Sequence, residues 1–418
     1  MKKIVLSLAG VLAATAFAPE AAAVPVFARQ TGMACSACHY QHFPLLNGFG
    51  RSFKASGFTI MGAQGKVEGE HLSIPDTLNM GVLATIVHQT ESDAGAANAK
   101  WQVPSAGGEL SIFYGGRISE FAGFLSELGA AGAAGTGAAK VAMLAPVGDS
   151  RVGLVAYSGG QGAAYAFELL NTGAADTHKM MGNSGPAKQH VAATYAAEYM
   201  GARTDATGLT LVATNPNMGF ATLGRYATAA PGAPGANTLP LTYLRVAGTF
   251  DLAGWDSAVG IQNFSGTQSA LGAGPSSYKL LAIDSQFQGQ VGGMSTGLYV
   301  TYARAPADAN GNHMAAGWST QRRYGAIGTA TNKASSFNIA GSLEIIPAIS
   351  TLQAAIRRAT NGGASGADGD NAFMLGVTYE LAQNFELSLN HTRQSGSAWN
   401  VSNQQGQKST TLLAEILF

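Results

Sequence analysis

The sequence predicts an all-β transmembrane barrel of the outer-membrane type, about 16 strands round, preceded by a small helical segment. Three observations carry that expectation: a composition poor in charge and rich in glycine, strict alternation along the C-terminal third, and one short motif that contains both cysteines.

Charged residues are 11% of the 418, and glycine accounts for 55. Soluble domains carry about 25% charge and about 7% glycine. Mean hydropathy is slightly positive, yet past the N-terminus no apolar run reaches the ~20 residues of a membrane helix. A barrel reconciles these facts, because lipid-facing apolar positions alternate with polar or small lumen positions. Net formal charge is zero, so nothing points to nucleic acid.

The chain opens with Lys2 and Lys3 ahead of an apolar run from Ile4 to Phe17, and Ala21-Ala22-Ala23 offers a cleavage site. That pattern predicts an export signal over residues 1–23, with the mature protein starting near Val24.

Residues 24–78 form the second expected piece. Cys35-Ser36-Ala37-Cys38-His39 holds the only two cysteines. Cys-x-x-Cys-His is the attachment motif of a c-type haem, with Cys35 and Cys38 as thioether donors and His39 as proximal iron ligand. A thiol redox site wants a βαβ context and a structural zinc wants four ligands; neither is present. His42 to Gly57 reads as a short helix, with Pro44 in its first turn and Leu45, Leu46, Phe49 and Phe53 on one stripe. Gly57 supplies the stop. The stripe is expected to cover the porphyrin, since ~55 residues build little core unaided. For the distal ligand, His42 lies on the same helix side as His39, and Met33 is too close to the first thioether. Met61, His71 and Met80 remain. Met61 is chosen, because methionine raises the potential; His71 is second, and an open sixth position is the third choice.

Residues 79–418 are the expected barrel. Phe373, Leu375, Val377, Tyr379 and Leu381 alternate with Met374, Gly376, Thr378 and Glu380, and Phe385, Leu387 and Leu389 continue the pattern after a short turn. The last strand ends on an aromatic, Phe418. Further strands are expected near 349–360, 334–347, 293–304, 277–290, 254–265 and 240–252. From the other end they fall near 79–90, 108–117, 119–129, 139–147 and 150–157. The stretch 158–226 does not alternate and has no assignable phase. Long connections at 227–239, 266–276, 305–333, 361–370 and 395–407 alternate with short turns, the asymmetry of an outer-membrane barrel.

Other candidates read as ordinary. His88, His178, His190, His313 and His391 lack metal-ligand spacing and suit lumen or loop positions. Trp101, Trp255, Trp318 and Trp399 suit interface anchoring or loop packing. Arg322-Arg323 and Arg357-Arg358 suit lumen or loop surface. Glu68, Glu70 and Asp76 read as solvated carboxylates near the haem segment.

The run Val24-Pro25-Val26-Phe27-Ala28-Arg29-Gln30-Thr31-Gly32 into the haem motif, then Pro44, Phe49-Gly50, Phe53-Lys54 and Gly57-Phe58, resembles the fused outer-membrane cytochrome–porins of iron-oxidising bacteria. The plan of signal, one haem and barrel resembles them too. This resemblance implies iron:cytochrome c oxidoreductase-type electron transfer: Fe(II) as the external donor and a soluble periplasmic c-type cytochrome as acceptor, across outer-membrane lipid. Geometry adds an expectation of its own. One haem below an apolar band ~25 Å tall would not serve an external donor, so residues 24–78 are expected to fold into the lumen. A conduit for another reductant, or for electrons leaving the cell, stays open. So does a porin with a structural or sensory haem plug.

Overall fold

The computed structural model describes residues 25–62, 64–70, 72–92, 101–129, 137–160, 162–175, 177–180, 188–202, 205–228, 238–269, 275–315, 332–400 and 406–418. The expected export signal, 1–23, lies outside them, as do His71, Trp318 and Arg322-Arg323.

Sixteen long strands close into one antiparallel barrel. The wall starts at Asn79–Glu91 and ends at Lys408–Leu417, and these two pair with Thr85 opposite Glu415. The strands Leu110–Arg117, Ala122–Gly129, Gly137–Val147, Ser150–Gly159, Ala206–Asn215 and Gly219–Ala227 make up the rest of the first part. The second part comprises Leu241–Leu252, Trp255–Ser265, Leu280–Val291, Met294–Ala305, Ala334–Ile346, Ser350–Thr360, Asn371–Ala382 and Phe385–Ser395.

Period-two patterning builds the wall. On Ala334–Ile346, Ser336, Asn338, Ala340 and Ser342 are buried toward the lumen, while Phe337 and Ile339 are 43% and 42% exposed on the outside. Phe373, Leu375, Tyr379 and Leu381 face outward and Met374 and Thr378 inward, as the alternation predicts. An exposed belt that also includes Ile261, Ile283, Ile356 and Leu389 needs lipid as its solvent. At one end the turns are tight. Ala253-Gly254 and Gly292-Gly293 all have positive φ, from 53° to 82°, the geometry a two-residue hairpin requires.

The stretch 158–226, expected to lack a strand phase, divides: Ala206–Asn215 is a wall strand that does alternate, with Ala206, Thr210, Val212 and Thr214 buried and Leu209 and Leu211 exposed, and Gly219–Ala227 follows it in the wall. Two inner segments occupy the lumen. Residues 162–175, 177–180 and 188–202 leave the wall and fill the lumen, with Ala163–Leu170 and Val191–Met200 buried. A segment covered on all sides has no reason to alternate, and so this part of the stretch carried no strand phase. Arg245 on the wall holds it, its Nε 3.0 Å from Glu168 Oε2 and its Nη1 2.5 Å from Asp284 Oδ1. Asn338 Nδ2 donates to the Ala193 carbonyl at 2.9 Å, and Thr301 Oγ1 accepts from Ala196 N at 2.9 Å.

Residues 25–62 form the other inner segment, with helices α1 (Pro25–Thr31), α2 (Cys35–Cys38) and α3 (Gly48–Ala55). The helix expected from His42 begins only at Gly48, where Asn47 caps it by accepting from Gly50 N at 2.9 Å. Residues 42–47 are instead drawn into a bridge between His39 and Leu46. Gly57, at φ +73°, ends the helix as expected. The expected apolar stripe is divided. Leu45 packs with Tyr195 and Tyr299, Phe53 packs with Phe27 and Phe58, and Phe49 stays 37% exposed.

Candidate functional site

The Cys35–His39 segment is tied to the barrel near its short-turn end. The Tyr40 hydroxyl sits 2.8 Å from both the Gly289 and Thr296 carbonyls. Gln41 Nε2 donates to Ser295 O at 2.8 Å. Arg51 Nη2 reaches both oxygens of Asp256, at 2.7 and 2.6 Å. Asn171, from the other inner segment, accepts from Leu46 N at 2.9 Å and donates to Leu46 O at 3.0 Å.

Within the segment, Cys35 and Cys38 bound a single helical turn, and the His39 amide donates to the Cys35 carbonyl at 2.9 Å. They are not joined as a disulfide. Burial, with Glu380 adding to it, pushes the Cys35 thiol up to about 12, and burial also raises Cys38. Redox thiols depend on the opposite shift, so a thiol exchange centre does not fit here.

His39 leaves the turn in extended geometry, and its Nδ1 lies 2.9 Å from the Leu45 carbonyl. A proton on Nδ1 directed at a backbone oxygen fixes the tautomer and leaves Nε2 for a metal. Burial lowers the imidazole to about 4, against the pull of the Leu45 and Pro44 carbonyls, so the ring is neutral. Two thiols one turn apart and an oriented neutral imidazole fit haem c. These residues would hold it by two thioether bonds and one axial bond.

His42 does not fall on a helix with His39, which removes the basis on which it was set aside. Its own partners exclude it instead: Nδ1 lies 2.6 Å from Phe43 O and Nε2 3.0 Å from Gln353 Nε2. Met61 runs beside α1, for Gly62 N donates to Gln30 O at 3.1 Å and Gln30 Nε2 to Ile60 O at 2.8 Å. That places Met61 alongside the approach to Cys35, with no described contact to His39. Met80 shares the outward-facing parity of Ile86 and points away from the lumen.

Sequence reasoning missed Asn47 and the role of Gly50. Asn47 Nδ2 donates to the Ala37 carbonyl at 3.1 Å while its oxygen caps α3, which ties the cysteine turn to that helix. A Cβ on Gly50 would stand 2.2 Å from the Cys38 carbonyl oxygen. Gly50→Ala is therefore expected to drive α3 off the turn at a cost of about 1–3 kcal/mol. Faster proteolytic cleavage within 34–56 would report it, and an unchanged cleavage rate would contradict it. The only advance signal was an Asn before an apolar stripe.

The remaining histidines have other partners. His190 sits between Thr392 and Thr411, at 2.6 and 3.0 Å, inside the lumen as expected. His178 faces Lys54 at 3.2 Å. His88 packs against Trp101 with ring centroids 4.5 Å apart and planes inclined at 52°, and His391 bonds Thr410; both are outward-facing rather than luminal. Arg357 is buried on Asp370, whereas Arg358 faces out. Glu68 pairs with Lys66 at 3.1 Å on an exposed hairpin, and Asp76 is exposed. Among the described residues no cluster of metal-ligating side chains occurs.

No family model matches the chain, and no curated protein matches it in sequence. Solved structures do match. The outer membrane channel DcaP of Acinetobacter baumannii is 10% identical with a TM-score of 0.51, over 82% of this chain and 97% of that one. OmpT of Vibrio cholerae is 9% identical with a TM-score of 0.47, over 85% of this chain and 100% of that one. At such identities the likeness to DcaP is one of fold: this is a porin-like outer-membrane barrel.

Proposed function

We propose that the protein is an outer-membrane electron conduit that takes electrons from extracellular Fe(II) and delivers them to a soluble periplasmic c-type cytochrome. Residues 1–23 direct export. Haem c is carried on Cys35 and Cys38, with His39 as proximal ligand and Met61 as distal ligand. When bound, the haem supplies a one-electron iron couple. The protein orients the proximal imidazole through Leu45 O and excludes bulk water with the two inner segments. It also presents Met33 and Phe49, each 37% exposed, beside the cysteine turn.

One observation carries this reading: the chain's single Cys-x-x-Cys-His is bound into a barrel at the short-turn end, its histidine already committed at Nδ1. Barrel likeness alone favours a diffusion channel. Against that, a continuous apolar cluster joins both inner segments to the wall, from Phe53 and Phe58 through Ala163–Phe167 to Tyr243 and Phe264. The deciding assay adds Fe(II) to the purified, oxidised, haem-loaded protein. Conversion to the reduced c-type spectrum is the expected result. No reduction by Fe(II), with dithionite still effective, would reject iron as donor. Free passage of sugars into vesicles carrying the protein would restore the diffusion-channel reading.

A further inference from the structure

We infer that a column of buried aromatic side chains bridges electrons between the long-loop end of the barrel and the Cys35–His39 segment; this rests on the conduit reading above. The column begins at Tyr40, the residue after His39, whose hydroxyl is held by the Gly289 and Thr296 carbonyls. Tyr299 follows on the same strand as Thr296 and is fully buried. Its phenol oxygen turns back over Gly297, where a Cβ would stand 2.7 Å from it. The missing side chain at Gly297 thus leaves room for Tyr299 on the side where Tyr40 is anchored. Tyr195 is next, with ring centroids 6.2 Å from Tyr299 and planes inclined at 67°. Tyr199 lies one turn on, its amide donating to the Tyr195 carbonyl at 3.1 Å. Trp399 completes the column through a shared carboxylate. The Tyr199 hydroxyl donates to Asp370 Oδ2 at 3.0 Å and Trp399 Nε1 donates to Asp370 Oδ1 at 2.9 Å.

The column crosses the barrel. Tyr40 is anchored three residues from the Gly292-Gly293 turn, at Thr296, whereas Trp399 lies in the connection before the last strand, at the opposite end. Asp370 N donates to Ala359 O, and Ala359 stands in register with Ser336 and then Ala303. From Thr296 to Ala303 the wall rises roughly 18 Å, at ~3.3 Å per residue and a tilt near 40°.

Such a gap matters because tunnelling decays exponentially with distance, and less steeply through covalent bonds, hydrogen bonds and ring contacts than across empty space. Tyr195, Tyr199, Tyr299 and Trp399 are at most 4% exposed, so water does not interrupt the path. The lumen filling keeps an external donor at the long-loop end, and the column reaches from that end to the Cys35–His39 segment. One electron leaves Fe(II), giving Fe(III), and is taken up by the oxidised haem iron. The rings act as a bridge: they keep their protons and undergo no net oxidation.

The test uses haem-loaded protein in lipid vesicles with the long loops outward, Fe(II) added outside, and haem reduction followed by absorbance. Tyr195→Leu and Tyr299→Leu should each slow reduction on the order of tenfold, while Tyr195→Phe, which keeps the ring, should hold the original rate. The haem spectrum, the midpoint potential and the rate with a soluble reductant on the short-turn side should not change. Leucine variants as fast as the parent from the loop side overturn the column. Variants slowed equally from both sides overturn it too, since they mark a packing defect. If the unaltered protein takes up no haem, or accepts electrons only from the short-turn side, the conduit reading itself fails and the column falls with it.

Discussion

Replacing Arg245 with alanine should cost on the order of 3–5 kcal/mol and release the inner segment from the wall. Arg245 is fully buried, with Glu168 on one edge of its guanidinium and Asp284 on the other. Thr172 adds a hydrogen bond to Asp284 Oδ2 at 3.0 Å, so the ion cluster clamps residues 168–172 to two neighbouring regions of wall. Removing this guanidinium leaves two buried carboxylates without the charge that both of them bond. That penalty, more than the lost contacts, sets the size of the effect. Two measurements follow: denaturant unfolding in detergent, and sugar uptake by vesicles. The parent should be impermeable and the variant leaky. A variant as stable and as tight as the parent would show that the ion cluster does not hold the segment. Replacing Arg245, Glu168 and Asp284 together by apolar residues of similar volume should recover most of the loss, because neither carboxylate is then left without its guanidinium partner.

The second large effect is expected at the cysteine turn. Protein with both Cys35→Ala and Cys38→Ala should emerge from haem-attaching cells colourless and without covalent haem on a denaturing gel. His39→Ala should retain the covalent linkage, since both thiols are still in place one turn apart, yet lose the axial bond and nearly all reduction by Fe(II). Met61→Ala tests the distal position separately. A changed low-spin spectrum is expected, and an unaltered one would remove Met61 as a ligand. Colour persisting in the double cysteine variant would remove the haem assignment itself. The barrel should fold in all three variants, because its wall is closed by strand pairing that involves none of these residues.

Much of the wall was legible in advance because lipid imposes one rule on every strand. An outward position must be apolar and its neighbour must suit the lumen, so period two survives in the residue order. Ile339 and Phe337, or Leu375 and Phe373, announce their face without reference to any partner. The cysteine turn was legible as a unit for a similar reason: its five residues are consecutive, and the turn closes on itself through the His39 amide and the Cys35 carbonyl. The helix after it was misplaced by six residues, because Leu45 and Leu46 read as helical stripe when each is paid for by a distant partner, Tyr299 and Asn171.

Those distant partners mark the boundary of what residue order conveys. Residues 162–175 and 188–202 are covered by the barrel that surrounds them, so no periodicity distinguishes their faces and no local signal names their neighbours. That Glu168 meets Arg245, that Tyr40 reaches Gly289 across some 250 positions of chain, or that Tyr199 and Trp399 share Asp370 follows from ring closure alone. Closure brings strands far apart in the chain onto one small lumen. Within it, each buried charge and hydroxyl must find whichever partner the opposite wall presents.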